Sequence, residues 1–227
     1  MDRSDWLKEQ RRATEERYDA IWAPLYGEKW GLYSNATHQE FIRKLLGYLP
    51  QRSHILDAAC GAGRYLPLLL DGGHLVVGID QSAGMLSRLK AKYPEIQVEK
   101  VGLQEISFQE VFEAAICMDA MEHVCPEDWP VVLRNFWRAL EPQGYLYFTV
   151  EIAEEKEIAD AFQRGRQMGL PIVYGEYARE YTDEDVYHYY PAIQQVKEWL
   201  QQVGFILIEV GDGDGYHHYI IRKKTFE

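Results

Sequence analysis

The chain of 227 residues is short of positive charge, of cysteine and of long apolar runs, and each shortage excludes a class of protein. Only 24 Lys and Arg stand against 36 Asp and Glu, a formal net charge of −12. Proteins that grip a phosphate backbone need clustered Lys and Arg; the longest basic cluster here is Arg222-Lys223-Lys224. A nucleic-acid substrate is therefore not expected, whereas an acidic protein can concentrate cationic ligands. No apolar stretch approaches the ~18–20 residues of a membrane-crossing helix. The start, MDRSDWLKEQRRATEERYD, is charged where a secretory leader would be apolar. The expectation is a cytoplasmic protein with no membrane partner. Cys60, Cys117 and Cys125 show no metal-ligand spacing, and the first two, inside expected core elements, read as small buried side chains in a reducing compartment. Internal repeats, low-complexity tracts and linkers are missing as well.

Apolar and aromatic bulk is present. At 47% hydrophobic residues, a chain of this length can bury one large α/β core. The pattern predicts helices over 4–22 and 35–48, then strand 54–58, helix 63–70, strand 75–79, helix 82–92 and strand 97–101. Strand 113–118, helix 127–140 and strand 145–151 follow, with a helix over 153–168, an irregular segment at 170–190 and a helix over 192–203 ended by Gly204. Strands 205–210 and 216–222, joined by the glycine-rich turn 211–215, form a final antiparallel hairpin. The fold class expected is α/β, a Rossmann-like doubly wound sheet of seven strands, mostly parallel. We divide the single domain, 1–227, into a helical cover (1–50), a core (51–151), a lid segment (152–191) and a closing unit (192–227).

Residues 53–80, SHILDAACGAGRYLPLLLDGGHLVVGID, say most about function. Two apolar runs, each closing on a carboxylate (Asp57 and Asp80), flank a glycine turn and a helical stretch, as buried parallel strands with a crossover do. In open α/β sheets the ligand crevice lies beyond the carboxyl ends of such strands. Gly61 and Gly63 allow a sharp turn and a close approach to a ligand, and Asp80 can accept two hydrogen bonds from a ribose diol. A nicotinamide or flavin site would follow G-x-G-x-x-G, but Leu66 stands where the third glycine belongs, and Asp57 would repel a pyrophosphate. A cationic, phosphate-free nucleoside suits these residues better.

Asp57-Ala58-Ala59-Cys60-Gly61-Ala62-Gly63 resembles the first motif, D/E-x-G-x-G-x-G, of the class I S-adenosylmethionine (SAM)-dependent methyltransferases, with Ala59 in place of its first glycine. The distance to Asp80, the run from Phe112 to Val124 and Leu140-Glu141-Pro142-Gln143-Gly144-Tyr145-Leu146 are also similar to that family, so that the likeness spans 36–150. The resemblance implies SAM as cofactor, with Asp57, Ala59, Gly61 and Gly63 around the methionine end and Asp80 on the ribose. It further implies Gln81, Met85, Leu103 and Gln104 near the ribose and adenine, and Met118 and Asp119 closing the site.

Three aromatic clusters lie outside these units: Tyr18, Trp22, Tyr26 and Trp30; then Tyr174 to Tyr190; then Tyr216-His217-His218-Tyr219. From them we expect a small, ring-containing acceptor to meet Tyr18, Trp22, Tyr26, Tyr187, His188, Tyr189 and one of His217 and His218, which alternate across a strand. Methyl transfer from a sulfonium is an in-line displacement that rests on positioning and exclusion of water, and a base is optional. Tyr18, His123 and His188 are the candidate catalytic groups, and no metal is expected. The expected reaction is methyl transfer to N, O or C. A SAM-binding protein without chemistry and a nicotinamide-dependent oxidoreductase are the rival readings, and a homodimer is compatible with all of them.

Overall fold

The computed structural model describes residues 1–30 and 35–225, with the backbone alone for residues 28–30. Seven strands form one sheet in the order β3-β2-β1-β4-β5-β9-β8. Strands β1 (His54–Ala58), β2 (Leu75–Asp80), β3 (Gln97–Lys100), β4 (Phe112–Cys117) and β5 (Leu140–Glu151) are parallel, and β9 (Tyr216–Lys223) runs antiparallel between β5 and β8 (Phe205–Gly213). β1 and β4 are buried along nearly their whole length, which explains their near-continuous apolar sequence. The order reverses at β1, so the loops leaving β1 and β4 open a crevice between them.

Helices cover both faces. α3 (Ala36–Gly47), α4 (Leu66–Asp71) and α5 (Ala83–Lys92) bury Phe41, Ile42, Leu45, Leu66, Leu69 and Leu89 against one side. α6 (Trp129–Ala139), α7 (Glu155–Gln167) and α8 (Ile193–Val203) pack on the other around Trp129, Phe136, Phe148 and Trp199. Asn35 caps α3 through His38 N–H, Ser82 caps α5 through Met85 N–H, and Gly204 ends α8 at φ 99°.

Several boundaries differ from the sequence expectation, each for a local reason. α4 starts at Leu66 and not at residue 63, because Gly61 and Gly63 take φ of 52° and 81° and the turn consumes the intervening residues. The hairpin turn shrinks to Asp214-Gly215, both at positive φ, the pairing a tight hairpin favours. The Pro142-Gln143-Gly144 turn is absorbed into β5 as a bulge, where the partner of β4 jumps from Leu140 to Tyr145. Within 170–190, β6 (Glu176–Tyr177) and β7 (His188–Tyr189) pair as a two-stranded ribbon.

The first helix does not stop near Trp22. α1 (Arg3–Arg17) passes through a π-helical turn, Tyr18–Trp22, into α2 (Ala23–Trp30). Pro24 has no N–H to give to a carbonyl one turn back, and the wider π turn immediately before it absorbs the mismatch. Asp19 in that turn accepts from Ser82 Oγ at 2.5 Å and from Gly84 N–H at 2.9 Å, pinning the cover helix to the start of α5.

Candidate active site

A cavity of about 470 Å³ lies at the carboxyl ends of β1, β2 and β4, roofed by the first helix. Its floor is the loop after β1. Asp80 Oδ2 accepts Gly61 N–H at 2.9 Å and Oδ1 accepts Ser82 N–H at 2.8 Å, so the carboxylate ending β2 holds the glycine loop in place. Lone pairs remain on both oxygens for a diol. A Cβ at Gly61 would meet nothing within 4 Å, because that side faces the cavity. Gly63 differs from the expectation: it does not line the cavity, and a Cβ there would sit 2.8 Å from Leu66 Cδ1. Its role is close packing beneath the loop.

Asp57, Ala59, Gln81, Met85, Leu103, Gln104, Met118 and Asp119 all line this cavity. Burial raises the Asp57 carboxyl to about 7, with the Asp80 charge adding to the shift, and raises Asp80 itself to about 6 against the pull of its two backbone N–H bonds. Each carboxylate is thus held in a low-dielectric wall where a cation stabilises its charged form. Arg64, on the loop after β1, donates to Asp119 Oδ2 at 2.9 Å and stands 5.7 Å over the Tyr26 ring. Burial raises Asp119 to about 6, with Arg64 opposing the shift.

Tyr18, Trp22 and Tyr26 face the cavity from the cover helix, one turn apart, while the side chain of Trp30 falls outside the described residues. Tyr18 Oη lies 3.0 Å from His123 Nε2, and His123 Nδ1 lies 2.9 Å from the Tyr187 carbonyl. A carbonyl only accepts, so Nδ1 carries the proton, Nε2 accepts, and the Tyr18 hydroxyl donates to it. Burial lowers the His123 pKa and keeps the ring neutral; burial also raises the Tyr18 phenol, helped by Glu122, Asp80 and Asp119. His188 stands beside His123, ring centroids 4.7 Å apart, and also lines the cavity.

Four expected acceptor contacts are not at this cavity. Tyr187 is buried against Trp6 with its hydroxyl on Glu176 Oε1 at 2.6 Å, so it serves the site only through its carbonyl. Tyr189 packs into the core beneath the ribbon. His218 is fully buried between the Tyr147 hydroxyl and the Gly213 carbonyl, and His217 points the other way to Asp212. Tyr216, one residue earlier, reaches the cavity in their place. The structure adds Arg64, Glu122, Glu151 and Glu184 to the lining. Glu151 had a legible signal, since it ends β5 as Asp80 ends β2; Glu184, in the lid, had none. Among the described residues no group of three or more His, Cys, Asp or Glu is arranged to hold a metal ion, and no helix is long and apolar enough to cross a membrane.

This arrangement has counterparts. Residues 55–144 match a family described as a methyltransferase domain. A putative methyltransferase of Bacillus subtilis, YqeM, is 30% identical over 146 residues, which cover 62% of this chain and 57% of that one. The chain therefore spans a little over half of that relative's length. A didemethyltoxoflavin N1-methyltransferase of Burkholderia thailandensis, solved with S-adenosylhomocysteine, superposes with TM-score 0.62 at 16% identity, covering 98% of this chain and 87% of that one. The [4+2]-cyclase SpnF superposes at 0.72 with 15% identity, covering 96% and 98%; likeness at this level shows the fold alone. The sheet order and the glycine loop tied to the β2 carboxylate are those of the Rossmann-like methyltransferase fold, and residues 55–144 match the methyltransferase domain.

Proposed function

We propose that this chain moves a methyl group from SAM to N, O or C of a small, ring-containing acceptor held under the first helix. The observation that carries the proposal is one cavity shared by the two strand-end carboxylates, the aromatic wall of Tyr18, Trp22 and Tyr26, and the buried Tyr18–His123 pair. Its volume falls in the range of about 300–1,000 Å³ usual for ligand sites. Asp80 would take the ribose diol, Leu103 and Gln104 the adenine side, and Asp57 the cationic methionine end. Arg64, already bonded to Asp119, is placed to receive the methionine carboxylate. Bound SAM supplies an electrophilic methyl on a sulfonium. The chain's own residues orient the acceptor, keep water out beneath the cover helix, and take up a proton: Tyr18 can receive it while passing its own to His123 Nε2.

Calorimetric titration with SAM and with S-adenosylhomocysteine tests the cofactor half, with micromolar dissociation constants expected as an order of magnitude. Absence of heat and of a thermal shift at millimolar ligand would overturn it. Incubation with labelled SAM and a mixed metabolite pool tests the transfer half, and label that stays wholly on SAM would point to a binding protein without chemistry.

A further inference from the structure

Beyond the aromatic wall, one side of the cavity has more hydrogen-bond acceptors than donors. Glu122, in the 3-10 turn Met121–His123, is 3% exposed. The neighbouring backbone N–H groups of Glu122 and Ala120 favour its charged form, yet Oε2 is buried without a partner among the described residues. His188 Nδ1 lies 3.2 Å from the Val186 carbonyl, so Nδ1 carries the proton and Nε2 presents a lone pair. That lone pair faces Glu151 Oε2 at 3.7 Å, two acceptors beyond hydrogen-bond reach of each other. Glu184 lines the same space, while the two arginines of the cavity are engaged elsewhere, Arg64 with Asp119 and Arg11 with Glu105.

We propose that the methyl acceptor is an amine, whose N–H groups are held by Glu122, Glu151 and His188. This rests on the methyl-transfer reading above. A hydroxyl brings one donor to three acceptors; an ammonium brings up to three donors, and its charge offsets the buried carboxylates. Burial and the nearby Glu151 charge hold Glu122 well above the usual carboxyl range, which a bound cation would reverse. One ammonium proton passes to the Glu151 carboxylate, freeing the nitrogen lone pair. That pair forms the new N–C bond as the S–C bond breaks and the sulfonium becomes the neutral thioether; the methylated ammonium gives a second proton to the Tyr18–His123 pair, and both protons leave to solvent.

The test uses the full chain saturated with S-adenosylhomocysteine and three matched probe pairs: benzylamine against benzyl alcohol, phenethylamine against 2-phenylethanol, and tryptamine against tryptophol. At pH 7.5 the amine of at least one pair should bind tenfold or more tighter than its alcohol. Glu122→Gln and Glu151→Gln should each reduce that preference at least tenfold and change S-adenosylhomocysteine affinity less than about twofold. Using two variants guards against one that fails to fold. If S-adenosylhomocysteine binds but amines and alcohols bind alike, or neither binds, or the preference survives both substitutions, the amine assignment falls and the methyltransferase reading stands. If S-adenosylhomocysteine does not bind, both fall.

Discussion

Asp80 carries two tasks with one side chain. It anchors the glycine loop through Gly61 N–H and opens α5 through Ser82 N–H, and its remaining lone pairs face the cavity. Asp80→Ala removes a charged acceptor from both, at about 1.5–3 kcal/mol for such bonds. We expect SAM affinity to fall at least tenfold in calorimetry, and unchanged affinity would remove the ribose from this position. Ala59 sits at φ 56°, where the resembled motif has glycine. The left-handed region costs an L-residue about 1–2 kcal/mol, whereas glycine costs about 0.5–1 kcal/mol in chain entropy. Ala59→Gly should therefore shift stability by less than about 1 kcal/mol in urea unfolding, while Ala59→Val, β-branched at the same φ, should lose more than that. Tyr18→Phe deletes the hydroxyl that donates to His123 but keeps the ring against Trp22. Turnover should drop about tenfold or more with SAM affinity within a few-fold; a variant with full activity would exclude Tyr18 from proton transfer.

At the scale of elements, the cover helix works because its π turn is nailed to α5. Asp19 bonds Ser82 and Gly84, and a Cβ on Gly84 would lie 2.9 Å from that of Ala23. The absent side chain is what lets α2 close on α5. Gly84→Leu should prise the turn away and expose the roof. The expected signature is faster amide hydrogen exchange over 14–26 and SAM affinity lowered by tenfold or more, with the sheet amides unchanged. Uniform exchange over the whole chain would mean a global loss of stability and not an opened cover. Arg3 anchors the other end of this helix to the lid, donating to both carboxylate oxygens of the buried Glu176 at 3.0 Å and to the Pro171 carbonyl. Helix and ribbon are thus fastened together over one cavity.

For the whole molecule, charge is the controlling quantity. Asp57 and Asp80 titrate near 7 and 6 in the folded protein, above the 3.8 of an ordinary aspartate. A raised carboxyl binds its proton more tightly folded than unfolded. These groups therefore cost nothing below about pH 4, destabilise the ligand-free protein progressively between there and their folded values of about 6 and 7, and add no further loss above them. A cationic cofactor offsets this penalty where the carboxylates are charged. The thermal shift given by saturating SAM should therefore be larger at pH 7.5 than at pH 5.5, and equal shifts would separate the cofactor from these two groups. Added salt should weaken SAM only modestly, because buried charges are screened less than surface ones.

Sequence alone determined the alternating core. Apolar runs ending in Asp57 and Asp80, glycine turns between them and helix caps at Ser82 and Gly204 act over a few residues, and local chemistry fixes their outcome. Tertiary structure decided which aromatic and acidic side chains share a cavity. Tyr187, His217 and His218 read as pocket residues until packing turned them into the core or toward other partners, and Glu122, Glu151 and Glu184 meet only because β4, β5 and the lid converge. A strand's alternation says that two faces exist; which one looks onto a ligand depends on elements far away in the chain, and that information arises only when the sheet is assembled.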